Sequence, residues 1–109
     1  MRKYRPWEKR LEKVRLAALR TGHWVGRTKR GWLVWNASVA RNPLGELYLN
    51  GLYEGEYARY PNLAEVEALF ADELAELEEL IREKGWDEGV SEFLRRPLKE
   101  PVPGNPWIS

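Results

Sequence analysis

Residues 45–60 read GELYLNGLYEGEYARY, and the fold turns on how this stretch runs. Asn50-Gly51 stands between two alternating apolar runs. Asn-Gly is the dipeptide that favours a two-residue hairpin turn, because both of its positions need φ > 0. Read that way, Leu49 pairs with Leu52 and Tyr48 with Tyr53. Alternation then puts Leu47, Leu49 and Leu52 on one face and Tyr48, Tyr53 and Tyr57 on the other, with Arg59 in parity with Tyr57. Gly55 is placed to form a bulge.

Upstream, residues 23–40, HWVGRTKRGWLVWNASVA, carry two more strand patterns on either side of a TKRG turn. Leu33, Trp35, Ala37 and Val39 alternate with Trp32, Val34, Asn36 and Ser38. Both sets are fairly apolar, as in a central strand or a strand with one binding face. RNPLG, residues 41–45, is the next turn. Four strands in an antiparallel meander follow from this reading.

Helices flank the meander. In residues 5–22, RPWEKRLEKVRLAALRTG, Trp7, Leu11, Val14 and Ala18 follow 4-3-4 spacing on one face, beside Leu19. Pro6 suits the first helical position and Gly22 the position after the helix end. Residues 61–86, PNLAEVEALFADELAELEELIREKGW, read as one long acidic helix capped by Asn62, with Glu65 at the capping-box position. Gly85 ends it, and Trp86 is placed for the apolar contact that closes such an end. DEGVSEFLRR, residues 87–96, is a short helix stopped before Pro97. The expected fold class is α+β: an N-terminal helix, a four-stranded antiparallel meander, a long acidic C-terminal helix, a short helix and a Pro-rich tail. Residues 1–96 form a single domain. Residues 97–109, with four Pro in thirteen positions, form an extended tail.

The chain of 109 residues contains no Cys and one His, so disulfides, Cys-based zinc sites and His-rich metal sites are excluded. No apolar run is long enough to span a membrane, and no apolar stretch follows the basic start as a secretory signal requires. A cytoplasmic protein is expected. Arg outnumbers Lys twelve to six and Gln is absent, a bias that fits a GC-rich or thermophilic source.

The net charge of +1 hides a strong asymmetry. Residues 1–30 carry eleven basic and two acidic side chains, and residues 31–109 carry seven and fifteen. Such segregation points to nucleic acid, to a charged arm, or to a basic half lying against an acidic half of the same chain. For phosphate contact the candidates are Lys9, Arg10, Lys13, Arg20, Arg27, Lys29 and Arg30. Arg2, Lys3 and Arg5 add to the same charge. For base stacking the candidates are Tyr48, Tyr53 and Tyr57 with Arg59, joined by Trp32 and Arg27 from the first hairpin. The tyrosines are equally well read as core beneath a helix, and Glu46, Glu54 and Glu56 nearby oppose phosphate.

On the long helix Glu65, Asp72, Glu76, Glu79 and Glu83 make a carboxylate stripe. It is either a solvated face or a docking strip for a basic partner; one helix offers poor convergence for a metal. Trp107 and Ile108 end the tail and either fold back or anchor a partner. A basic amphipathic helix on a membrane is a further reading of the N-terminal segment, set aside because the same apolar stripe is needed to close the core. No glycine-rich phosphate loop and no catalytic spacing is present, and His23 beside Trp24 reads as structural. The expectation is a small non-enzymatic domain that binds DNA or RNA with low sequence specificity and uses no cofactor or metal. The alternative is a protein-interaction module or regulator of a nucleic-acid-handling machine, acting through the acidic helix and the tail. Either is compatible with a homodimer.

Overall fold

The computed structural model describes residues 6–99. Helix α1 (Pro6–Leu19) leads into three strands, β1 (His23–Thr28), β2 (Gly31–Arg41) and β3 (Leu47–Tyr60). Three helices follow: α2 (Leu63–Leu69), α3 (Ala71–Lys84) and α4 (Trp86–Arg95). The fold is α+β with one antiparallel sheet in the order β1-β2-β3.

The sheet has three strands, where the sequence predicts four. Asn50-Gly51 does not turn. Neither residue has a positive φ, and the chain runs straight through them as one 14-residue strand. Val39 faces Leu49 and Ser38 faces Gly51, so Asn50 is an extra residue in β3, a bulge rather than a turn. The long hairpin instead closes at residues 42–46. There the Asn42 side chain accepts hydrogen bonds from the amides of Leu44 (3.0 Å) and Glu46 (2.9 Å). A second irregularity lies where Trp35 faces Tyr57 and Ala37 faces Leu52. Residues 53–56 of β3 there oppose Asn36 alone, and Gly55, at φ +77°, sits inside this break.

The predicted long helix is two helices. Phe70 leaves helical geometry at φ −113° and ψ 28°. It is buried, with its ring 5.8 Å from that of His23. The break lets the two segments serve different cores. Leu63, Val66 and Phe70 join Leu11, Val14, Ala17 and Ala18 of α1 and Val25 and Val34 of the sheet. Leu77 and Leu80 of α3 pack with Phe93 of α4. Asn62 caps α2 as its sequence indicates, accepting from the Glu65 amide at 2.9 Å. Trp86 does not close the end of α3 but begins α4. At this corner the Gly89 Cα lies so near α3 that a β-carbon would come within 2.8 Å of the Leu80 carbonyl.

Strand alternation sorts the sheet into two faces. Val25 pairs with Val34 and Val34 with Ala58; this face meets the helices. The opposite face carries Trp24, Trp35 and Tyr57. Leu33 and Ala37 on this side are buried, and at its β1 edge Trp24 meets Arg15 of α1.

Candidate nucleic-acid interface

The basic residues of α1 are largely used within the fold. The Arg10 guanidinium grips Glu67 of α2 through two hydrogen bonds, of 2.7 and 3.2 Å. Lys13 lies 3.9 Å from Glu78 of α3, and the Lys9 ammonium sits 3.8 Å above the Trp86 ring. Arg20 is 4% exposed. It pairs with Glu76, donates to the Pro97 carbonyl at 3.2 Å and stacks over Phe93. Burial pushes the Glu76 carboxyl up, but the hydrogen bond and charge of Arg20, with Arg96 and Lys99, outweigh it and hold Glu76 below the usual carboxylate range. Arg20 is thus a structural cation and is not available to phosphate. Here the basic half lies against the acidic half.

The cations at the β1–β2 turn are placed differently. The turn is tight: Thr28 pairs with Gly31, and the Thr28 hydroxyl donates to the Gly31 carbonyl (2.9 Å) and accepts from the Arg30 amide (3.2 Å). Lys29 and Arg30 are exposed at its tip. Arg59, also exposed, reaches across from β3 and donates to Thr28 Oγ1 at 3.3 Å. The Arg27 guanidinium stacks between Trp7 (5.2 Å) and Trp32 (5.9 Å). Among the described residues no carboxylate forms an ion pair with any of these four. Four cations thus collect at one end of the sheet.

The three tyrosines singled out by the sequence are all exposed, Tyr48 at 45%, Tyr53 at 49% and Tyr57 at 47%, so none is core. They do not share one face as strict alternation predicts. The bulge at Asn50 and the break across residues 53–56 interrupt the alternation. Tyr48 lines a groove of about 590 Å³ between α1, Trp24 and the start of β3. Tyr53 lines a separate hollow beside Asn36, Ser38 and Leu98. Tyr57 packs on Trp35, ring centroids 6.1 Å apart at 58°. By pairing it lies on the side of Leu52. Trp32 does not join it, because Trp32 pairs with Arg27 and Tyr60 on the helix side and packs on the main core.

What sequence reasoning misses is the partnership of Trp24, Trp35 and Tyr57. They occupy directly paired positions in β1, β2 and β3, and so form a row of positions across the sheet, although the rings diverge: Trp24 lines the groove beside α1, Trp35 lies over Gly26, and Tyr57 packs on Trp35. Arg15 of α1 extends the row at one end: its guanidinium lies 4.9 Å from the Trp24 ring and donates to the Val25 carbonyl at 2.8 Å. The signal for part of this is present in the sequence. A two-residue TKRG turn pairing Thr28 with Gly31 sets Trp24 opposite Trp35 by counting back.

On α3, Asp72, Glu79 and Glu83 are exposed, whereas Glu76 is held by Arg20 and by Arg96 at 3.4 Å. Trp107 and Ile108 lie outside the described residues. Residues 97–99 of the predicted tail run along the fold, with the Lys99 amide donating to the Arg20 carbonyl at 2.7 Å. No His, Cys, Asp or Glu cluster suited to a metal ion occurs among the described residues. No helix there is long and apolar enough to cross a membrane. The chain matches no protein-family model, no curated protein and no solved structure.

Proposed function

We propose that this protein is a small, non-enzymatic nucleic-acid-binding domain, cytoplasmic and of low sequence specificity. It holds phosphates at the β1–β2 turn rather than along α1. The observation that supports this most is the division of labour among cations. Arg10 and Lys13 of α1, and Arg20 just after it, are matched to acids of α2 and α3, while Arg27, Lys29, Arg30 and Arg59 gather at one end of the sheet with no acid paired to them among the described residues. Such a cluster attracts a polyanion and releases its counterions on contact. Low specificity follows if these cations meet phosphate, because contacts to phosphate carry no sequence information.

Fluorescence anisotropy of labelled DNA and RNA at two salt concentrations tests it. With four contacts the slope of log K on log salt should lie near about −3 to −4. Lys29→Glu with Arg30→Glu should remove most of the affinity and flatten the slope by roughly 1.5 to 2. Absence of binding at low salt, where phosphate attraction is greatest, would overturn the reading.

A second reading, a protein-interaction module, draws on the exposure of Asp72, Glu79 and Glu83 without a basic partner among the described residues. Charge reversal at Asp72 and Glu79 should then abolish binding of a lysine-rich peptide and leave nucleic-acid binding unchanged.

A further inference from the structure

The turn cations would serve any polyanion; the side of the sheet that carries Trp35 and Tyr57 says more about its form. Trp24, Trp35 and Tyr57 stand in one row at directly paired positions. Neighbouring strands lie about 4.8 Å apart, so the row is roughly 10 Å long. Trp24 is turned against Arg15 and the α1 groove, so the rings left to a ligand are Tyr57, half exposed, and Trp35, half-buried. Trp35 leans over β1 because Gly26 has no side chain to keep it away. The next row on this face is Gly26, Leu33 and Arg59, and beyond it lie Thr28 and the exposed Lys29 and Arg30. Leu33 is buried, but Tyr57 and Arg59 are exposed and follow one another on this side of β3, with the charge of Lys29 and Arg30 at the turn end.

That order is selective. In a duplex the faces of the bases are stacked on each other, and only their edges reach the grooves. Ring faces on a protein are of use to bases only when the bases are unpaired. Stacking on an aromatic side chain then stabilises each base and is indifferent to sequence, as every base has a π-face. Glu54, exposed on β3 away from the turn, disfavours phosphate at its own end and so leaves the turn end for the backbone.

We infer that the ligand is single-stranded nucleic acid, its bases stacked on Tyr57 and Trp35 and its phosphates held by Arg59, Lys29 and Arg30. This rests on the nucleic-acid reading above and narrows it to the unpaired form.

The test compares a labelled oligothymidine single strand with a DNA duplex of equal length, at one low salt concentration, for the wild-type protein, Tyr57→Ala and Tyr57→Phe. Thermal melts of each variant report folding; Tyr57 is exposed enough for its loss to be tolerated. The single strand should bind at least about tenfold more tightly than the duplex and quench Trp emission on saturation. Tyr57→Ala should lower single-strand affinity about tenfold, leave duplex affinity and the salt slope unchanged, and Tyr57→Phe should restore it. Equal or tighter duplex binding, unchanged Trp emission, or an equal loss for both ligands in Tyr57→Ala overturns the single-strand inference while phosphate binding stands. Failure to bind either ligand overturns both.

Discussion

The Trp35 ring lies so close over Gly26 that a β-carbon there would come within 2.6 Å of Cζ3 and 3.2 Å of Cη2. The absence of one methyl group on β1 thus sets where the central ring of the aromatic row rests. Gly26→Ala should displace that ring. Because Trp35 is only half buried, it can swing outward, and the cost should be about 1–2 kcal/mol rather than loss of the fold. Urea denaturation measures the cost, and the wavelength of Trp emission reports the ring's new exposure. A variant with unchanged stability and emission would show that the ring is not held against β1.

Arg20 and Lys29 are indistinguishable as cations in a basic segment, and the fold separates them. Arg20→Ala leaves Glu76 without its main partner and the Pro97 carbonyl without its donor. Loss of one member of a buried pair costs roughly 3–5 kcal/mol, and the partial exposure of Glu76 places this pair at the lower end, about 3 kcal/mol. Lys29→Glu with Arg30→Glu, at an exposed turn tip, should stay within about 0.5 kcal/mol of wild type. Urea midpoints of the two variants decide this; equal midpoints would refute the structural role given to Arg20.

Two glycines of β3 make opposite predictions. Gly51 has no positive φ, and a β-carbon placed on it would meet nothing within 4 Å, so Gly51→Ala should be neutral or stabilise by a few tenths of a kcal/mol. Gly55 stands at φ +77°, and Gly55→Ala should cost about 1–2 kcal/mol despite equally open surroundings. If Asn50-Gly51 formed the hairpin turn that the dipeptide suggests, the order would reverse. Paired thermal melts read the sign directly.

This contrast also shows where the sequence is legible. The helical face of Leu11, Val14 and Ala18, the Asn62 cap and the TKRG turn rest on interactions between neighbours a few residues apart, and all are found in the fold. The Asn-Gly turn is local too, but here it competes with continuous pairing of β3 along an 11-residue β2, and a bulge lets the strand run on. Phe70 has helical neighbours on both sides, yet burial against His23 breaks the helix there. Both departures come from partners distant in sequence. The candidate site divides the same way. Exposure of Lys29 and Arg30 follows from their turn, whereas the pairing of Tyr57 with Trp35 depends on two irregularities in β3 that no periodicity reveals.

The last prediction concerns pH. His23 is 2% exposed, its ring against Phe70 and its Nδ1 2.9 Å from the Thr21 hydroxyl. That hydroxyl donates to the Ala18 carbonyl, so its oxygen is left to accept from Nδ1–H. Burial lowers the His23 pKa to about 4, against a partial opposing effect of a hydrogen bond with Asn36. In the unfolded chain the group titrates near 6.5. Between these values the unfolded state binds the proton and the folded state does not. Stability therefore rises with pH across this window, is fully present above about 6.5, and falls by roughly 3 kcal/mol as pH drops toward 4. Glu46, held low by hydrogen bonds from Ser91 and Asn42, and Glu76 lose their contributions only at lower pH, as they protonate. His23→Leu should flatten the stability profile between pH 6.5 and 4 and keep the decline below it. Urea midpoints of both proteins across this range test the assignment, and a wild-type midpoint that does not move from pH 7 to 4.5 would sink it.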